Sequence, residues 1–160
     1  MLWVCRAGQK GCYFIKYIEE QKIYLPWDGY RYDLSKYDSL EDFRRIVAKE
    51  KQTDNHTSIS NWSGQLFAFV KRMQIGDHVM IPSTSSQIYV FAKITGEYQY
   101  QSEGELHHSR SINIIKSDIS RTVFSQNVRY SLGAYRTVFQ PRYEEEIVST
   151  IMDLESKKKG

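Results

Sequence analysis

The chain has 160 residues, enough for one domain with its own core. Its formal charge of +3 is carried wholly by Lys157, Lys158 and Lys159, because the remaining 19 bases meet 19 acids; this excludes a general coat for polyanions and leaves a focused basic patch as the electrostatic option. Two cysteines are too few for a disulfide framework, no apolar run reaches bilayer length, and the N-terminus lacks a secretory signal pattern, so a cytoplasmic location with no membrane partner is expected.

In chain order, Leu2–Arg6 reads as a short apolar strand, and the Gly8…Gly11 turn after it lets a backbone come close to a neighbour. Phe14, Tyr17 and Ile18 have helical spacing. Lys22–Pro26 is a second strand ended by proline. The loop from Trp27 to Leu34 then carries three large aromatics, two acids and an arginine. Ser39 with Asp42 opens a helix to about Lys51 in capping-box fashion. A second helix, roughly Ser58 to Met73, places Ile59, Trp62, Leu66, Phe69, Val70 and Met73 on one face.

The helical period breaks at Gly76-Asp77. Val79–Pro82 and Ile88–Ile94 follow as strands around a serine-rich turn, the second rich in β-branched and aromatic residues. Tyr98 and Tyr100 share a face of a polar aromatic segment. His107–Lys116 reads as a strand, Ile119–Gln126 as a short helix or turn, and Tyr130–Phe139 as a loop with a strand-like end. Arg142–Lys157 forms a helix whose early glutamates and late lysines suit the helix dipole. The domain is placed at 1–141, with 142–160 as a C-terminal helix and linker or tail to a possible effector. Charge is uneven: between His107 and Tyr143 lie Arg110, Lys116, Arg121, Arg129, Arg136 and Arg142 against Asp118 alone.

The order helix, Gly76-Asp77, apolar strand, serine turn, apolar strand resembles the centre of PUA-like barrels, in particular their EVE and YTH branches. Trp27 after the second strand is similar to the cage tryptophan of YTH domains, and Asn61-Trp62-Ser63-Gly64-Gln65 resembles the EVE helix start. Over about residues 2–140 the chain most resembles the N-terminal PUA-like domain ahead of Mrr-type nucleases in modification-dependent restriction systems. The motifs carrying that likeness are Trp27…Asp33-Leu34, Gln65–Phe69, Gly96–Tyr100, His107 with Arg110, and Ser131-Leu132-Gly133…Arg136–Phe139. Pro26 departs from the pattern, where a glycine is expected.

The resemblance implies an α/β (α+β) fold, a mixed barrel of five or six strands with flanking helices. It also implies a non-catalytic module reading a methylated or hydroxymethylated base in DNA, with a nuclease or motor as effector. Such a base is flipped out of the stack into an aromatic pocket. Trp27, Trp62, Tyr98 and Tyr100 are the candidate walls; Asp33 and the backbone of Arg6, Ala7 and Gly8 are the candidate edge readers. Arg110, Arg121, Arg136 and His107 are the candidate backbone contacts. For each the plainer alternative stands beside it: Trp27 and Trp62 as core, Asp33 as a turn cap, His107 as a strand-surface residue, the arginines as a solvated face. An RNA-reading module, or a sensor for a small molecule or protein, are the competing functions. No Walker-type loop, nuclease acid pair or Gly-x-Ser-x-Gly occurs, and the His and Cys residues lack zinc spacing, so neither catalysis nor a metal or other cofactor is expected.

Overall fold

A computed structural model describes residues 1–159, with side chains described to residue 157; the reading of the terminal Lys-Lys-Lys-Gly as a linker lies, beyond Lys157, outside the described residues. The fold is mixed α+β. Its strands are β1 (Leu2–Cys5), β2 (Lys22–Tyr24), β3 (His78–Ser83), β4 (Ile88–Ile94), β5 (Gln99–Tyr100), β6 (His108–Ser120) and β7 (Val138–Phe139). They run in the order β2-β6-β4-β3-β1-β7, with the short β5 added beside β6. β1 and β3 are parallel and the other pairs antiparallel. The register of β4 on β6 slips on either side of Phe91, and such bulges bend a sheet. It curls into a half-barrel whose end strands β2 and β7 do not pair.

Strand alternation explains the two cores. In β1, Trp3 and Cys5 face one core while Leu2 and Val4 face the other; in β4, Val90 and Ala92 oppose Tyr89 and Phe91 in the same way. The central strands are therefore covered on both faces, which is why they read as unbroken apolar runs. The first core is closed by α1 (Phe14–Glu20), α2 (Leu40–Glu50) and α3 (His56–Phe67), the last continuing into a π-turn at Ala68–Arg72. The second is closed by α4 (Gln126–Leu132) and α5 (Glu144–Lys159) through Val128, Leu132, Ile147 and Ile151. The C-terminal helix thus belongs to the packed fold.

Local signals account for the boundaries. Ser39 and Asp42 exchange both capping-box bonds at the start of α2, and Asn55 and Ser125 cap α3 and α4. Gly76 has φ +101, a turn geometry that suits glycine. Asp77 is the structural reason for the Gly-Asp pair. Its carboxylate accepts from the Trp3 indole at 3.0 Å, the Gln74 N–H at 3.0 Å and the N-terminal ammonium at 3.1 Å, so it pins β1 beside β3.

Candidate nucleic-acid interface

β1, β3 and β6 point the same way, so their C-terminal ends share one end of the sheet with the starts of β4 and β7. A cleft of about 390 Å3 opens there, within the size range of small-ligand sites. Arg6 reaches it from the end of β1, Arg121 from the end of β6, and Arg129 from α4; Ser83 and Thr84 supply hydroxyls, and Tyr135 closes the rim. No carboxylate lines it. Among the described residues, neither these three arginines nor Arg136 has an acid within ion-pair distance. Tyr135 is 95% exposed, with the Arg6 guanidinium 5.2 Å from its ring centroid. Burial pushes the Tyr89 phenol up at the cleft wall, while Arg121 and Arg129 pull it the other way. A concave, cationic, hydroxyl-lined surface with an exposed ring is equipped to hold an anionic group beside a flat aromatic one.

The other bases of the arginine-rich third behave differently. Arg110 is buried, and its guanidinium donates to the carbonyls of Phe69 (3.1 Å), Met73 (2.9 Å) and Gly96 (3.2 Å). This corrects its assignment as a phosphate contact: it is a cross-brace holding the π-turn and the segment after β4. Lys116 pairs with Asp118 and Glu155. His107 binds the Gln101 carbonyl at the opposite end of β6 from Arg121, up to roughly 45 Å away along a fully extended strand. It is likewise removed from the arginine cleft. Arg136 and Arg142 are exposed beside it, on the loop before β7 and the segment before α5.

The proposed base cage is packed rather than open. Trp27 and Trp62 do come together, edge-to-face at 4.7 Å between centroids. The Trp27 indole N–H donates to Thr137 Oγ1 at 3.0 Å, and the Lys51 ammonium lies 3.6 Å from the Trp62 ring centroid. Partial burial there lowers the Lys51 pKa. Tyr30 links this pair to a second cluster: its ring contacts Trp27, and its carbonyl accepts from His108 Nε2 at 2.7 Å. A carbonyl only accepts, so His108 Nδ1 is the acceptor for the Tyr98 hydroxyl at 2.5 Å, and that hydroxyl in turn accepts from Leu34 N–H. Burial holds His108 neutral, its pKa pushed down to about 4. Tyr100 lies against His107 and His108.

Trp27, Trp62, Tyr98 and Tyr100 therefore line neither the arginine cleft nor the groove along α3 described below. Asp33 takes the plainer of its two roles: it caps the turn at Leu34, accepting from Ser35 N–H and Oγ–H, which lowers its pKa. The loop after β1 is also inward-looking. Arg6 N–H donates to Thr137 O, while the Ala7 and Gly8 carbonyls accept from Tyr13 and Gly11, so these groups are taken before any base edge arrives. Gly8 is needed because a Cβ there would sit 2.8 Å from both Cys12 and Tyr13; its close neighbour is this chain itself.

Arg129 and Tyr135 were not singled out from sequence. The signal available was their position within the acid-poor stretch, on either side of Gly133. Among the described residues no group of three or more His, Cys, Asp or Glu side chains is arranged to hold a metal ion, and no helix is long and apolar enough to cross a membrane.

The class this defines is a mixed α+β half-barrel domain with a basic cleft at one end of its sheet. Residues 3–140 match the profile of a family described as a domain of unknown function, DUF8426, and the chain belongs to that family. No curated protein matches it.

Proposed function

We propose that this domain is a non-catalytic nucleic-acid-binding module that grips a phosphate backbone at the arginine cleft. One observation carries the reading: Arg6, Arg121 and Arg129 converge from three separate elements on one cleft without a carboxylate among its lining residues, beside the exposed ring of Tyr135. Arginines left without acid partners are suited to bidentate contacts with phosphate oxygens, and an exposed tyrosine offers a stacking platform for a base.

The finer reading rests on the resemblance to EVE and YTH domains. In it the domain is PUA-like, the nucleic acid is DNA, and the module selects a methylated or hydroxymethylated base for a nuclease or motor on the same or another chain. The packed state of Trp27 and Trp62 moves the candidate stacking residue to Tyr135. RNA is the alternative ligand, since the cleft chemistry suits either backbone. Titration of matched modified DNA, unmodified DNA and RNA tests the proposal. Binding of any of them that weakens on Arg121→Ala supports the module; failure of all three to bind refutes it. Preference for modified DNA supports the finer reading, and equal affinity for modified and unmodified strands removes it.

A further inference from the structure

A groove of about 750 Å3 runs along α3 and β7 and shares no lining residue with the arginine cleft. Gly64 sits in its wall, in the interior of α3. Glycine weakens a helix interior relative to alanine, so it normally has a packing reason there. Here it has none inside the fold: a Cβ at Gly64 would meet nothing within 4 Å. The bare backbone faces open groove.

Trp3, Ala68, Val138 and Phe139 give the groove an apolar part, and the rest of its lining is polar or cationic. Arg72 and Arg136 contribute guanidiniums, His56, Thr57 and Ser60 are exposed polar side chains, and no carboxylate is present. Arg72 is held by the Gln140 side chain at 3.2 Å and by the face of Trp3 at 5.3 Å, and no acid lies within ion-pair distance of it among the described residues. Gln65 fixes the polarity of the neighbouring amide. Its Oε1 accepts from the N–H groups of Thr137 and Val138, and its Nε2 donates to Asn61 Oδ1. The Asn61 carbonyl end is thereby engaged, and its NH2 end is left to donate.

From these features we infer that the α3 groove seats a second stretch of sugar–phosphate backbone, which passes directly over Gly64 with Arg72 and Arg136 on its phosphates and Asn61 donating to it. The absent side chain lets the backbone approach the helix, and the polar groups around it include two guanidiniums, an amide donor and hydroxyls with no carboxylate, as an anionic acceptor chain requires. This rests on the nucleic-acid reading above and adds to it a second contact made by a different set of residues.

The test uses the full chain with Gly64→Met, which fills the groove, and a fluorescein-labelled DNA duplex as probe. Gly64→Met should melt no lower than wild type, and it should bind the duplex at least tenfold more weakly; Gly64→Ala should fall between. A folded Gly64→Met with wild-type affinity overturns the groove. A fold-independent arm is amide hydrogen exchange of wild type over residues 57–67, which should slow when the duplex is added; unchanged exchange on a bound duplex also overturns it. If wild type binds the duplex and only Arg6, Arg121 or Arg129 variants weaken it, the groove fails while the cleft stands. If wild type binds no nucleic acid, both fail together.

Discussion

The guanidinium of Arg6 lies 5.2 Å from the ring centroid of Tyr135, although 129 positions separate them in the chain. Antiparallel pairing of Cys5 with Val138, and the hydrogen bond from Arg6 N–H to Thr137 O at 2.8 Å, bring the two together at the cleft mouth. The pair leaves Tyr135 almost fully exposed. An aromatic ring held at a basic rim without being buried is available to a ligand.

Trp27 is a structural anchor. It makes an edge-to-face contact with Trp62 and a hydrogen bond to Thr137. Trp27→Ala should cost about 3 kcal/mol, the low end for a large aromatic that is only partly buried. Urea denaturation measures this, and a double-mutant cycle with Trp62→Ala should return a coupling of about 1 kcal/mol. An unchanged midpoint would restore the open-cage reading.

Arg110→Met removes a buried guanidinium and orphans the carbonyls of Phe69, Met73 and Gly96. Leaving buried polar groups unpaired is among the costlier single changes, and a loss of about 3–5 kcal/mol follows. Thermal melting reads the loss. Variants that remain folded at low temperature should keep the wild-type salt dependence of binding, because Arg110 touches no phosphate.

His108 ties stability to pH. Its folded pKa of about 4 lies below the ordinary 6.5 because burial disfavours the charged ring. Between those values the unfolded chain binds a proton that the folded one refuses, so stability is full above about pH 6.5 and is lost as pH falls toward 4. The gap corresponds to roughly 3 kcal/mol. Chemical denaturation across pH 4–7 should show this slope, and His108→Asn should flatten it.

The Tyr30 hydroxyl is buried and has no hydrogen-bond partner among the described residues. Tyr30→Phe deletes that orphan and keeps the ring against Trp27, so it should be neutral or stabilising by about 1 kcal/mol. A clear loss of stability would reveal a partner for the hydroxyl.

Much of the fold was legible locally. The Ser39/Asp42 cap, the helix-to-strand change at Gly76-Asp77 and the apolar hairpin strands each follow from short-range rules, and the structure has them where those rules put them. Helix α4 was missed because its seven residues show little periodicity, although Ser125 was there as a cap. The site was less legible because its determinants are long-range. Asp77 looks like a turn residue until Trp3 and the N-terminus arrive beside it. Counting charge along the chain overvalued Arg110, yet its phase with Ile112 and Ile114 on β6 already pointed it inward. The same count could not see Arg6 join Arg121 and Arg129, because strand order alone brings the ends of β1 and β6 together.

The most direct test of the central claim is the salt dependence of nucleic-acid binding for wild type and for Arg6→Ala, Arg121→Ala and Arg129→Ala. Each lost phosphate contact lowers the slope of log K against log salt by roughly 0.9 on duplex DNA. The account predicts that each variant weakens modified and unmodified DNA by the same factor and flattens the slope by about that amount. Wild-type slopes in all three variants would contradict it, and would leave the cleft to a small-molecule or protein ligand.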